Sequence, residues 1–155
     1  MAEKVQFELV SPERLVLSEA VDMVVVPGGE GYFGVLANHA PLISTVKAGV
    51  IDVYQGREVT QRIFVAGGFA EVTPERCTVL ADEAVAVSSL DPAAIEANMR
   101  ILEGTIANLR EQIGRTTGTD RDHAEFELRH VQANLEVAAA KLAAVRGGAA
   151  VAAAH

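Results

Sequence analysis

Apolar residues change period once along this chain, near residue 89, and that switch restricts the chain to two kinds of structure joined end to end. Before it, apolar side chains alternate with others, as a half-buried strand requires. Val5, Phe7 and Leu9 are separated by Gln6 and Glu8, Leu15 and Leu17 repeat the pattern, and so do Val21, Met23 and Val25. Further runs cover Val50–Tyr54, Val59–Ala66, Phe69–Thr73 and Thr78–Leu80. Turn formers separate them: Ser11-Pro12, Pro27-Gly28-Gly29, Ala48-Gly49, Gln55-Gly56, Gly67-Gly68 and Thr73-Pro74. Closely spaced short strands with no long helix between them predict a sandwich or barrel, not a parallel βαβ sheet.

After the switch the period is helical. Asp91-Pro92 predicts a helix start, with the carboxylate as N-cap and proline in the first turn. Ile95, Met99, Leu102, Ile106, Leu109 and Ile113 recur at steps of four and three. Gly114–Gly118 interrupts the pattern, and a second stripe follows: Ala124, Leu128, Val131, Leu135, Ala138, Leu142 and Val145. Alternating steps of three and four form a narrow seam of the coiled-coil kind. A short connection makes two such helices antiparallel, each about 20 to 25 residues and so about 30 to 38 Å long. The expected organisation is β + α: an N-terminal antiparallel β-sandwich over 1–88, an antiparallel α-helical hairpin over 89–146, and a disordered tail over 147–155. Because a helix pair shares only one face, the hairpin needs a further surface, either its own sandwich or a partner. Gly104, inside the first helix, costs about 1 kcal/mol relative to Ala and makes the element easier to move.

Charge then removes whole classes of function. Thirteen Lys and Arg against 21 Asp and Glu give a net charge of −8, the wrong sign for neutralising phosphates or lying on an anionic membrane. The imbalance is concentrated: residues 1–88 carry −6 and residues 89–155 only −2. A single cysteine, Cys77, excludes an internal disulfide framework and fits a reducing compartment. The N-terminus lacks the basic-then-apolar pattern of a signal peptide, and the sequence holds no apolar run of membrane-spanning length. The expectation is a cytosol-facing chain that neither binds nucleic acid nor inserts into lipid.

Candidate chemistry is sparse. Gly29-Glu30-Gly31-Tyr32-Phe33-Gly34 matches G-x-G-x-x-G, but Val35–Pro41 is too short and interrupted to be the helix that would meet a pyrophosphate, so a tight turn is expected. Cys77 sits in an apolar run without a neighbouring His or Lys and is expected to be a buried, inert thiol. Asp82 and Glu83 are adjacent on a strand and point to opposite faces. His123, Glu127 and His130 share a helix face, a weak metal pattern set against a solvated surface. His39, beside Asn38 and Ala40-Pro41, reads as a hydrogen-bonder in a turn. No enzyme constellation, cofactor or metal site emerges.

Three segments, in order, carry a family resemblance: His39-Ala40-Pro41-Leu42, then Val65–Val72 with its Gly67-Gly68-Phe69 centre, then Val79-Leu80-Ala81-Asp82. Together with a terminal helical hairpin they resemble the epsilon subunits of F-type ATP synthases, over about Val5 to Val145. The resemblance implies a non-catalytic rotor subunit of the central stalk, bound to gamma and seated on the ring of c subunits, at the cytoplasmic face of a bacterial inner membrane. It implies that Glu30, Gly31 and Tyr32 approach the ring, with His39 and Pro41 near the gamma and ring interface. In the family an acidic residue is common where this chain has Tyr32. The hairpin is implied to fold on the sandwich or to extend along gamma into the alpha/beta catalytic head and inhibit ATP hydrolysis. Its candidate cations are Arg121, Arg129, Lys141 and Arg146, interleaved with Asp122, Glu125, Glu127 and Glu136. Some family members bind ATP through L-D-x-x-R-A, but Leu90-Asp91-Pro92-Ala93-Ala94-Ile95 has alanine at the arginine position, so no useful ATP affinity is expected. Two alternatives stay open: a coupling subunit without inhibitory function, and an unrelated coiled-coil adaptor.

Overall fold

A computed structural model describes residues 3–147. The expected tail, from residue 148 on, lies outside the described residues. The described chain divides into two compact units, one holding all the strands and the other Asp91–Arg146. The first contains β1 (Val5–Ser11), β2 (Arg14–Val21), β3 (Met23–Gly28), β4 (Gly31–Val35), β5 (Leu42–Thr45), β6 (Gly49–Gln55), β7 (Glu58–Val72) and β8 (Arg76–Ala86). Their order is β2-β1-β8-β7-β6-β3-β4, with β5 also paired to β7. Every pairing is antiparallel except β1 with β8.

One strand belongs to both layers of the sandwich. β7 pairs with β6 through Glu58–Val65 and with β5 through Phe69–Val72. Between these stretches Gly67 and Gly68 have φ of 70° and 109°, backbone that a side chain resists. The inward positions change parity there, from Ile63 and Val65 to Ala70 and Val72, so one strand feeds the same core from both layers. Gly67-Gly68 is therefore not the chain-reversing turn expected from sequence; the strand bends and continues. Pro27-Gly28 likewise extends β3 instead of ending it.

The core joins Val5, Phe7 and Leu9 of β1 and Cys77, Val79 and Ala81 of β8 to Val24 and Val26 of β3 and Ile51 and Val53 of β6. β3 and β6 depart from simple alternation, because Val25, Val50 and Asp52 are buried too. A strand buried on both faces loses its polar intervals, and in β3 it is Val24 and Val26, not the Met23 and Val25 expected from alternation, that join the main core.

The second unit is a helical hairpin, α1 (Pro92–Arg115) and α2 (Gly118–Arg146). Asp91 caps α1 by accepting a hydrogen bond at 3.0 Å from the Ala93 amide. Ile95, Ile106 and Leu109 of the first stripe are buried, and Met99, Leu102 and Ile113 are half-buried. In α2, Ala124 and Ala138 are buried and the other five stripe residues are half-buried. The helices pack together, and Arg146 reaches Glu96, tying the end of α2 to the start of α1. With 29 residues, α2 runs longer than the spacing suggested.

Candidate functional site

The glycine-rich segment is the tip of a two-stranded hairpin, not the entry to a helix. Gly28 pairs with Gly31, leaving Gly29 and Glu30 as the turn, and Gly31 has φ of 133°. The tip is tied to the chain beyond β5: Gly29 donates to the Thr45 carbonyl at 2.9 Å, and Lys47 donates to the Pro27 carbonyl at 2.9 Å. These bonds require close approach. A Cβ at Gly29 would lie 2.2 Å from Thr45 Oγ1, and one at Gly49 would lie 2.5 Å from the Tyr32 hydroxyl and 2.9 Å from Pro27 Cβ. Tyr32 is thus held by its far end while 37% of it stays exposed.

Glu30, Gly31 and Tyr32 come together with β5 and line an open groove of about 600 Å³, whose opposite wall is Leu42–Thr45. His39 and Pro41 are on the connection from β4 to β5 and do not line it. His39 is half-buried, with Nδ1 2.6 Å from the Ala40 carbonyl, in keeping with a structural hydrogen bond. Its neighbour Asn38 takes φ of 66° and donates its amide to the Pro74 carbonyl at 2.7 Å, fixing the connection to the β7–β8 turn.

The four hairpin cations differ in their surroundings. Arg121 pairs with Glu125 at 3.2 Å, Arg129 lies 6.0 Å from the centre of the Phe126 ring, Arg146 pairs with Glu96, and Lys141 is half-buried. Phe126 and Ile101, outside the two stripes, are 65% and 68% exposed. His123, Glu127 and His130 are all exposed, and among the described residues no group of His, Cys, Asp and Glu is arranged to hold a metal ion. Asp91, which a nucleotide site would use, is engaged as the α1 cap. Cys77 is fully buried between strands, and desolvation pushes its thiol up from 9.0 to about 12, far from the range of a nucleophile.

One surface is absent from the expectations. On the outer face of β2, β1, β8, β7 and β5, cross-strand partners form a row, Leu15–Val10–Leu80–Phe69–Thr45. Leu15, Leu80 and Phe69 are 55%, 52% and 58% exposed, and Ile43, in the next row, is 72% exposed. The signal was present as apolar residues on consecutive positions, Leu9-Val10, Val79-Leu80 and Phe69-Ala70, where a one-sided strand should show a polar neighbour.

Comparison with known proteins identifies the family. Residues 4–87 match the family described as ATP synthase, Delta/Epsilon chain, beta-sandwich domain. The chain is 52% identical over 144 residues to the ATP synthase epsilon chain of Rhodospirillum centenum, spanning 91% of this chain and 96% of that one. It is 62% identical over 100 residues to the ATP synthase epsilon chain of Rhodospirillum rubrum, spanning 64% and 75%. Its fold resembles a chain in the OSCP/F1/c-ring structure of the Euglena gracilis mitochondrial ATP synthase, with a TM-score of 0.59 at 19% identity over 85% of this chain and 82% of that one. It also resembles a chain of the central stalk and c-ring structure of the Tetrahymena thermophila mitochondrial enzyme, with a TM-score of 0.54 at 11% identity over 91% and 98%.

Proposed function

The chain belongs to the ATP synthase delta/epsilon family, and from that premise we propose how its two units divide the work. It is a non-catalytic subunit of the central stalk of the F-type ATP synthase, part of the rotor. No helix of the described residues is long and apolar enough to cross a membrane. The sandwich docks on gamma and on the c-ring, with Glu30, Gly31 and Tyr32 meeting the ring and His39 and Pro41 lying near the gamma and ring interface. The observation that carries this reading is the tied tip: two backbone hydrogen bonds, Gly29 to Thr45 and Lys47 to Pro27, and the close approaches at Gly29 and Gly49 anchor the hairpin that carries Glu30 and Tyr32. A contact surface ordered in advance loses less entropy on assembly. The complex then sits at the cytoplasmic face of the bacterial inner membrane.

The hairpin restrains ATP hydrolysis by reaching the catalytic head, using Arg121, Arg129, Lys141 and Arg146. Support comes from its outward apolar side chains, Ile101 and Phe126, which have the exposure of contact residues. The internal pairs Arg121–Glu125 and Arg146–Glu96 favour a second reading, in which the hairpin serves coupling alone. Deleting residues 89–155 and assaying hydrolysis by the assembled enzyme separates the two. A severalfold rise is expected, and an unchanged rate would leave coupling intact and remove the inhibitory role.

A further inference from the structure

We infer that Glu96 is an internal competitor for Arg146: it holds the guanidinium across the two helices of the hairpin, and Arg146 reaches a carboxylate of the catalytic head only when α1 and α2 part. The inference rests on the reading of the hairpin as a restraint on hydrolysis and names how that restraint is regulated. Arg146 Nη2 donates to Glu96 Oε1, from the last turn of α2 to the beginning of α1. The other arginines assigned to the head are held differently. Arg121 pairs with Glu125 and Arg129 lies over Phe126, all on α2, so these contacts travel with that helix. Arg146 cannot keep its partner in the same way, because Glu96 belongs to α1. Of these three arginines, Arg146 is the one whose contact is broken when the helices separate.

The seam between the helices is thin enough for such a pair to matter. The residues that α2 buries are alanines, Ala124, Ala138 and Ala144, while α1 buries Ile95, Ile106 and Leu109. An alanine removes little apolar area from water, so the closed hairpin gains less from this seam than two leucine-rich faces would give. Glu96 and Arg146 lie close in sequence to Ile95 and Ala144, the first and last buried residues of the unit, at the end where no connection joins the helices. The Arg146 and Glu96 side chains keep 61% and 39% of their exposure, so water screens the pair and it shifts an opening equilibrium only a few-fold. A bias of that size restrains the hairpin without locking it. Neutralising Glu96 therefore favours the open hairpin and leaves Arg146 to the head. Neutralising Arg146 also eases opening, but it removes the group that binds. The two members of one ion pair thus act on hydrolysis in opposite directions, whereas a merely structural pair would act in the same direction from either side.

The test assays ATP hydrolysis by the assembled synthase at low ionic strength. Glu96→Gln should lower the rate by about twofold to fivefold, the range an exposed pair commands. Arg146→Gln should raise the rate, and the double variant should match Arg146→Gln, because Glu96 then has nothing to hold. A Glu96→Gln rate equal to or above that of the unsubstituted enzyme, or a double variant as slow as Glu96→Gln, would overturn the inference. The isolated full chain gives a second readout. There Glu96→Gln should speed amide exchange towards the end of α2 by a similar factor with unchanged circular dichroism, and equal exchange would show that the pair does not hold the hairpin closed. Deletion of residues 89–155 is the reference. If that deletion leaves hydrolysis unchanged, the inhibitory reading falls and the role given to Arg146 falls with it, while the exchange readout still decides whether Glu96 clasps Arg146.

Discussion

Cys77 shows how a residue's position decides its chemistry. Its side chain faces the sandwich core from β8, opposite Val72 and Phe7, with no measurable exposure. The thiolate has no water there, so the folded pKa rises from 9.0 to about 12. Below pH 9 the thiol is neutral in both folded and unfolded chains and the pH has no leverage. Between pH 9 and about 12 the unfolded chain releases a proton that the folded chain keeps, so stability falls as pH rises, by up to about 1.4 kcal/mol per unit. Urea denaturation at pH 8, 9.5 and 10.5, run in parallel on Cys77→Ala, checks this. The difference in slope between the two chains isolates the thiol, and equal slopes would refute its burial. Gly68 was legible in sequence only as a turn former. What it does is let the strand bend where an added Cβ would lie 1.8 Å from the Leu80 carbonyl oxygen. That requirement comes from a strand Gly68 is not adjacent to in sequence, so no local pattern could reveal it.

Among the elements, β6 and β7 are aligned by an ion pair as well as by hydrogen bonds. Asp52 and Arg62 are direct cross-strand partners, joined at 3.2 Å, and Asp52 is fully buried while the Arg62 side chain keeps 26% of its exposure. Sliding β7 by one residue would leave a buried carboxylate facing Gln61 or Ile63, so the pair opposes misregister. Removing only the cation, Arg62→Met, should cost roughly 2–3 kcal/mol, the low end of the range for buried pairs because Arg62 is partly hydrated. Replacing both, Asp52→Leu with Arg62→Met, should recover most of that loss. A double-mutant cycle by urea denaturation measures the coupling, and a double variant less stable than Arg62→Met alone would contradict it. Strand content was readable here, but the burial of Asp52 was not, because a lone aspartate among valines reads as the solvent side of an alternating strand. The helices were the more legible elements: Asp91 caps α1 as its sequence context suggested, because capping is settled within one turn.

Across the whole molecule the two units differ in how much core each commands. The sandwich gathers its fully buried Phe7, Leu9 and Ile51 into one cluster, whereas the hairpin's fully described seam leaves most of its stripe half-buried. Local opening should therefore be easier in the hairpin. Native-state hydrogen exchange is expected to show the amides of β1, β6 and β8 protected up to the global limit, with those of α1 and α2 opening at least tenfold more often. Equal protection throughout would mean one cooperative unit. An easily opened hairpin and a well-cored sandwich would behave as separate cooperative units.

The amino-acid sequence by itself determined the change of period near residue 89, the helix start at Asp91, the paired stripes and the acidic bias of the first unit, because each depends on neighbours within a turn or on simple counting. Tertiary structure alone decided that β7 serves two layers, that Asp52 is buried against Arg62, and that Leu15, Val10, Leu80 and Phe69, which lie on four different strands, form one row on the outer face. Those features arise from which strands pair and in what register, and pairing is a property of distant segments brought together.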